Sequence, residues 1–387
     1  MAPLWQQCCL SARRVDNGEV DWRSGGNGSG ANLPALRGHN DALVLALLRE
    51  AGLEGLGRTE LAALTRLTPQ AVSKITGRLR AEGLVAEAGR GESTGGKPRT
   101  LLQLAAGARH AVGVYADRDE LRAVRVDMLG TVVDRIRGPL DFAAGPDAVV
   151  DEVVRAVDRL CGDEGAGSLL GVGLAAPGPL DWRAGVLGRV TGHPEWEGFP
   201  LRQAVADRLG PAAPPVLLDK DTNAGAAAPG RRAVAGTAYL ATSVYLHLST
   251  GLGAGLRLRG EVFRGERSAA GEFGHQVLML DGPPCRCGGR GCAEVLCLEA
   301  VARGDLQEAA RILGEGAANT VALLDVDRVW LGGRVVDSAP EVFTTGVRRV
   351  LEARSLGGPV PEVAASEDGV AEGAAELALA PLFGRVG

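Results

Sequence analysis

Eight residues from Cys285 to Cys292, CRCGGRGC, restrict the backbone of this chain more tightly than any other stretch. The cysteines stand in C-x-C-x4-C spacing. Glycines at 288, 289 and 291 let the chain turn sharply enough for three thiolates to converge. Three thiolates and one further ligand make a closed tetrahedral zinc site. His275, ten residues upstream in AGEFGH, is the candidate for the fourth in a chain with only five histidines. Four protein ligands leave no position for water, so such an ion is structural. Three buried structural cysteines and a redox pair are the alternatives the spacing leaves open. Cys297 lies in the apolar helical stretch EVLCLEAV and reads as core. With Cys8, Cys9 and Cys161 the total is seven. An odd, clustered set argues against a disulfide framework and for a reducing cytoplasm.

The 387 residues suffice for two or three domains. No run of 18 or more apolar residues appears, so no membrane association is expected, and the N-terminus lacks the pattern of a secretion signal. The Gly/Ser/Asn-rich stretch SGGNGSGANLP (24–34) predicts a flexible leader over 1–36. The apolar run Leu43–Leu48 predicts a helix capped by Asn40 or Asp41. From His110 onward, strand-like stretches such as AVGVYA and LLGVGLAAPG alternate with helical ones. Val149, Val153, Val157 and Leu160 form one apolar helix face. That alternation predicts an α/β architecture.

The stretch GRTELAALTRLTPQAVSKITGRLRAEGLV predicts a winged helix-turn-helix over 37–106. Thr59 is expected to cap a short helix with Leu61 and Leu64 on one face. Thr68 caps a second helix, with Pro69 at its first position, where a missing N–H costs nothing. Val72, Ile75 and Leu79 then face the core, leaving Gln70, Ser73, Lys74 and Arg78 outside. Gly83 ends the helix, and two short strands around GRGESTGGKPR make a wing carrying Arg90, Lys97 and Arg99. Arg58 to Arg99 sum to +4, against −9 for the rest of a chain whose net charge is −5. Positive charge gathered on one module is what phosphate contact requires. Operator DNA is the expected partner. Gln70, Ser73 and Lys74 are assigned to base edges, and Arg78, Arg90, Lys97 and Arg99 to phosphates or the minor groove. A small helical packing domain is the bland alternative.

AGEFGH followed by CRCGGRGCAE resembles the signature of the ROK family (repressors, open reading frames, kinases). AAPGPLD (175–181), HPEWEGFPL (193–201), DKDTNAGAAA (219–228), LSTGLGAGL (248–256) and VWLGGRV (329–335) resemble further family segments, in order, over roughly residues 40–387. The resemblance implies a two-lobed actin-like ATPase (sugar kinase/RNase H-like) domain behind the head. Lobe 1 is expected at 107–230, lobe 2 with the zinc knot at 231–364, and a C-terminal helix at 365–387 returning to lobe 1. It also implies a sugar pocket from Asp221, Glu272, His275 and Glu294, with Asp221 at the position of the kinases' catalytic base. A histidine that binds zinc through one nitrogen can offer the other to a hydroxyl, so the knot would brace a pocket wall.

The chain departs from the family pattern in places. Lys220 replaces the asparagine that usually contacts the sugar, and its effect on ligand choice stays open. The Asp-x-Gly-Gly-Thr phosphate loop is GVYADRDEL (113–121) here. Tyr115 replaces the aspartate, Asp117 and Arg118 the glycines, and Asp119 the threonine. Side chains fill the cradle and two acidic groups repel a triphosphate. The stretch before ANTVALLDVDRVWLGG is also shorter than usual. The expected function is therefore a sugar-responsive, DNA-binding transcriptional regulator with a degenerate nucleotide site: a repressor of carbohydrate-utilisation genes, with structural zinc, no ATP, no catalytic residue, and a homodimer or higher homo-oligomer as its assembly. The alternative is an ATP-dependent sugar kinase with a DNA-binding head.

Overall fold

Two five-stranded sheets with the same internal order organise the chain after Ala106. The computed structural model describes residues 33–90, 100–165, 168–190, 193–211, 213–228, 242–355, 357–366 and 369–385. In the first sheet, His110–Ala116, Glu120–Asp127 and Val132–Pro139 form an antiparallel meander. Leu169–Ala176 and then Val216–Lys220 add in parallel on the other side of His110–Ala116. In the second, Ser243–Leu248, Leu252–Leu258 and Glu261–Phe263 form the meander. Arg328–Gly332 and Glu362–Ala365 add in parallel. Both sheets thus read 3-2-1-4-5 in their own chain order, the repeated lobe of the actin-like ATPase fold. The repeat lies in hydrogen-bond topology, so a scan for recurring residues does not find it.

Each fifth strand runs into a helix, Asp221–Ala227 or Val370–Leu379. These two helices cross where side chains are small. A Cβ on Gly373 would lie 1.7 Å from the Ala224 carbonyl oxygen, and one on Gly173 would lie 1.9 Å from that of Ala374. Only glycine admits either approach. Val370–Leu379 is therefore pressed between the first sheet and Asp221–Ala227. Pro146–Gly165 and Leu201–Leu209 cover the other face of the first sheet. Val149, Val153, Val157 and Leu160 are all buried there, against Val112, Val114, Val172 and Leu174. The second of these helices was not evident in the sequence. Ala293–Ala302, Leu306–Leu324 and Pro340–Arg354 pack on the second sheet.

The head contains Leu33–Ala51, Arg58–Thr65 and Pro69–Ala81, with a three-stranded sheet in which Thr100–Leu104 lies between Leu56–Gly57 and Val85–Arg90. The first helix begins at Leu33, not behind a cap at Asn40 or Asp41, which shortens the expected leader. Pro34 is tolerated in the first turn, where its missing N–H has no intrahelical partner anyway. The second helix is capped by Gly57, whose N–H donates to the Glu60 carboxylate at 2.8 Å, and Thr59 lies inside it. Leu61 is buried, but Leu64 is 58% exposed, because the helix ends at Thr65 and its last turn projects past the core. One buried ion pair ties the head to the C-terminal helix. Arg49 donates to both oxygens of Glu376 at 2.7 and 2.8 Å and lies over the Phe383 ring.

Candidate functional site

The β–α junction at Lys220–Asp221 opens into a cavity of about 760 Å³, lined by residues from both lobes. Asp221 starts its helix, and its carboxylate accepts from the Thr222 N–H. Burial, then the nearby Asp117 carboxylate, pushes the Asp221 carboxyl up to about 6. Asp219, two residues earlier, is locked by three donors: its own strand's Lys220 N–H, the Asn223 amide at 2.7 Å and the Arg264 guanidinium at 2.6 Å. Arg264 also lies over the Trp182 ring, 4.5 Å from its centre. These groups hold the junction rigid. Nothing in the sequence flagged Arg264, because its partner lies 45 residues away.

Glu272, His275 and Glu294 meet Asp221 around the same cavity. One oxygen of Glu294 accepts from the Leu252 N–H at 2.9 Å, which ties it to the glycine-rich turn of the second sheet. Lys220 is 4% exposed. Its ammonium donates to Glu272 at 3.0 Å and to the Ala270 carbonyl at 2.8 Å.

Across the cleft, the turn after His110–Ala116 is filled as the sequence implies, but its charge is not left bare. Arg334 donates to Asp119 at 2.9 Å, reaches Asp117 at 3.4 Å and donates to the Ser249 hydroxyl at 3.1 Å. One guanidinium thus offsets part of the charge of the two carboxylates, so the expected repulsion of phosphate is weakened but not removed. The obstruction by occupancy is as expected: Asp117 is 3% exposed, and Arg118 donates to Thr250 at 2.6 Å. Tyr115 approaches His247 of the second sheet at 3.5 Å, and burial raises its hydroxyl pKa well above the usual value, keeping it neutral. The signal for Arg334 was present in VWLGGRV but lacked a partner until the fold supplied one.

His275 and the three cysteines of the knot converge. Their ligand atoms lie within 4.8 Å of one another. Cys285 Sγ is 3.8 Å from His275 Nδ1, and Cys287 Sγ is 3.7 Å from Cys292 Sγ. Bonds of about 2.3 Å in a tetrahedron place ligand atoms about 3.8 Å apart, so the donor set fits a metal ion. The histidine turns Nδ1 to the cluster, which leaves Nε2 for the cavity. Gly291 makes the turn possible: φ is +62°, and a Cβ would fall 1.6 Å from the Met279 carbonyl oxygen. Cys297 is fully buried and stands apart, its thiol pushed up to about 12 by burial.

On the head, Thr68 accepts from the Ala71 N–H at 3.2 Å and Pro69 opens the helix. Val72, Ile75 and Leu79 are buried, while Gln70, Ser73 and Lys74 are exposed on one helix. Arg78 pairs with Asp41 of the first helix and stays partly exposed. Arg90 ends the wing strand Val85–Arg90. Lys97 and Arg99 lie outside the described residues. No described helix is long and apolar enough to cross a membrane.

Residues 113–301 match the family model described as ROK family. The chain is 26% identical over 255 residues to the xylose repressor of Bacillus spizizenii, covering 65% of this chain and 64% of that one. This chain thus spans under two thirds of that relative's length. A solved ROK family transcriptional regulator, a homologue of the Escherichia coli MLC protein, superposes with a TM-score of 0.71 at 20% identity, over 90% of this chain and 97% of that one. The ROK hexokinase from Thermus thermophilus superposes with a TM-score of 0.55 at 29% identity, over 69% and 97%.

Proposed function

From the ROK family domain that this chain carries, we propose that it is a sugar-responsive DNA-binding repressor that has given up phosphotransfer. The observation that carries this reading is the Arg334 clasp. A phosphate turn needs open backbone N–H groups and room for oxygens. Here Asp117, Asp119 and Arg334 take that room and are bonded to one another across the lobes. The sugar side of the cleft keeps its acceptors in Asp221, Glu272 and Glu294. Relatives named as xylose repressors support the same direction.

In this reading a homodimer sets two heads in successive major grooves, about 34 Å apart. Gln70, Ser73 and Lys74 meet base edges, and Arg90, Lys97 and Arg99 meet the backbone. A neutral sugar closes the lobes, and the head spacing ceases to match the operator. A hundredfold shift requires about 3 kcal/mol of preference for one lobe arrangement. The His275, Cys285, Cys287 and Cys292 cluster holds zinc, which fixes the pocket wall beside Glu272.

Retained Asp221 favours a second reading, an active sugar kinase with a DNA-binding head. Incubation with magnesium ATP and D-glucose or D-xylose separates the two. The repressor reading expects no sugar phosphate above background, together with sugar-dependent release of operator DNA. Steady turnover would overturn it.

A further inference from the structure

Among the described residues Lys220 is the one lysine lining the cavity, and it is already engaged. Its ammonium donates to Glu272 at 3.0 Å and to the Ala270 carbonyl at 2.8 Å, and its side chain is 5% exposed. Its stem runs against Gly178, where a Cβ would fall 2.8 Å from Lys220 Cδ. Gly178 thus makes room for a long side chain at position 220. An ammonium has three N–H donors, so at most one remains for a ligand.

We infer that Lys220 sets the charge class of the ligand: by neutralising and orienting Glu272, it makes the cleft select a neutral sugar over the corresponding amino sugar. This rests on the reading above that the cleft binds a sugar. Asp221, Glu272 and Glu294 by themselves would surround the cavity with three carboxylates, a composition that draws in an ammonium group. Lys220 cancels one of them at contact distance. A protonated amine placed beside Glu272 then meets the like charge of Lys220 at close range. A carboxylated sugar fares no better. The Lys220 charge is already matched, and Asp221 and Glu294 face the newcomer. Hydroxyls remain, donating to the Glu272 carboxylate that Lys220 holds in place. Lys220 acts largely through Glu272 and is to that extent a positioning residue.

The test uses the full-length chain with its metal, and D-xylose, D-glucose, D-glucosamine and D-glucuronate as probes in calorimetric titrations at about pH 6.5, where an amine is protonated. Methionine keeps the stem against Gly178, so the variants are Lys220→Met, Glu272→Gln and the pair. Metal content and unfolding midpoint report that each is folded. The wild type is expected to bind D-glucose at least tenfold more tightly than D-glucosamine or D-glucuronate, or to bind D-xylose while binding neither. Lys220→Met is expected to weaken the neutral sugar about tenfold and to erase the discrimination against D-glucosamine. In the Glu272→Gln background, the same change is expected to cost less than about twofold, the non-additivity of residues that act as a unit. Equal binding of D-glucosamine by the wild type, unchanged selectivity in Lys220→Met, or fully additive losses would each overturn the inference while leaving the sugar-effector reading intact. Absence of binding by every sugar would overturn both.

Discussion

Burial displaces the Asp221 carboxyl upward. An unfolded aspartate titrates near 3.8, and in the fold Asp221 titrates at about 6. Between those values the native state holds more protons than the unfolded one, so stability falls as pH rises through the window. The contribution is fully present below about pH 3.8 and lost above about pH 6, and is bounded at about 3 kcal/mol. Asp221→Asn keeps the shape and the Thr222 contact and removes the buried charge. It is expected to melt a few degrees above the wild type at pH 8 and level with it near pH 4. Thermal denaturation across that range checks this, and parallel curves would refute it. The residue types of the pocket were legible because Asp221, Glu272, His275 and Glu294 sit in recognisable motifs. The states they adopt were not, because Lys220 reaches Glu272 and Asp117 approaches Asp221 only through folding.

At the scale of elements, the recognition helix and the cysteine knot are local, and both were legible in their spacing. Thr68, Pro69, Val72, Ile75 and Leu79 state a capped helix with one apolar face within twelve residues. Lys74, exposed and without a resolved carboxylate partner among the described residues, is assigned to DNA. Lys74→Ala is expected to weaken operator binding by about 1–3 kcal/mol and to relax specificity at the base it meets. Unchanged affinity in a filter or anisotropy titration would remove it from the interface. The knot makes a separate prediction. Chelation or Cys287→Ala is expected to lower the unfolding midpoint of the second lobe while the head stays folded. Differential scanning calorimetry with and without chelator reads this, and an unmoved transition would show that the cluster holds no structural ion. Thr59 and Leu64 mark the limit of local reading. Which residue caps, and which turn is covered, depended on the Glu60 side chain and on where the core ends.

For the whole molecule, the Arg49–Glu376 pair is the contact to test, since it joins elements 327 residues apart. Both side chains are buried, so removing one partner leaves a charge without compensation. Glu376→Ala is expected to destabilise the protein by about 3–5 kcal/mol, and replacing both partners with methionine by much less. Chemical denaturation measures both, and equal losses would mean that packing, not charge, holds the joint. The sequence by itself determined the α/β class, the capped helices of the head and the spacing of the cysteine cluster, because these depend on periodicity, caps and short-range motifs. Only the tertiary structure decided the doubled 3-2-1-4-5 sheets, the Lys220–Glu272 and Arg49–Glu376 pairs, and the Arg334 clasp on Asp117 and Asp119. Each brings together groups far apart in the chain, and their charges are matched or opposed only once the two lobes and the head are packed.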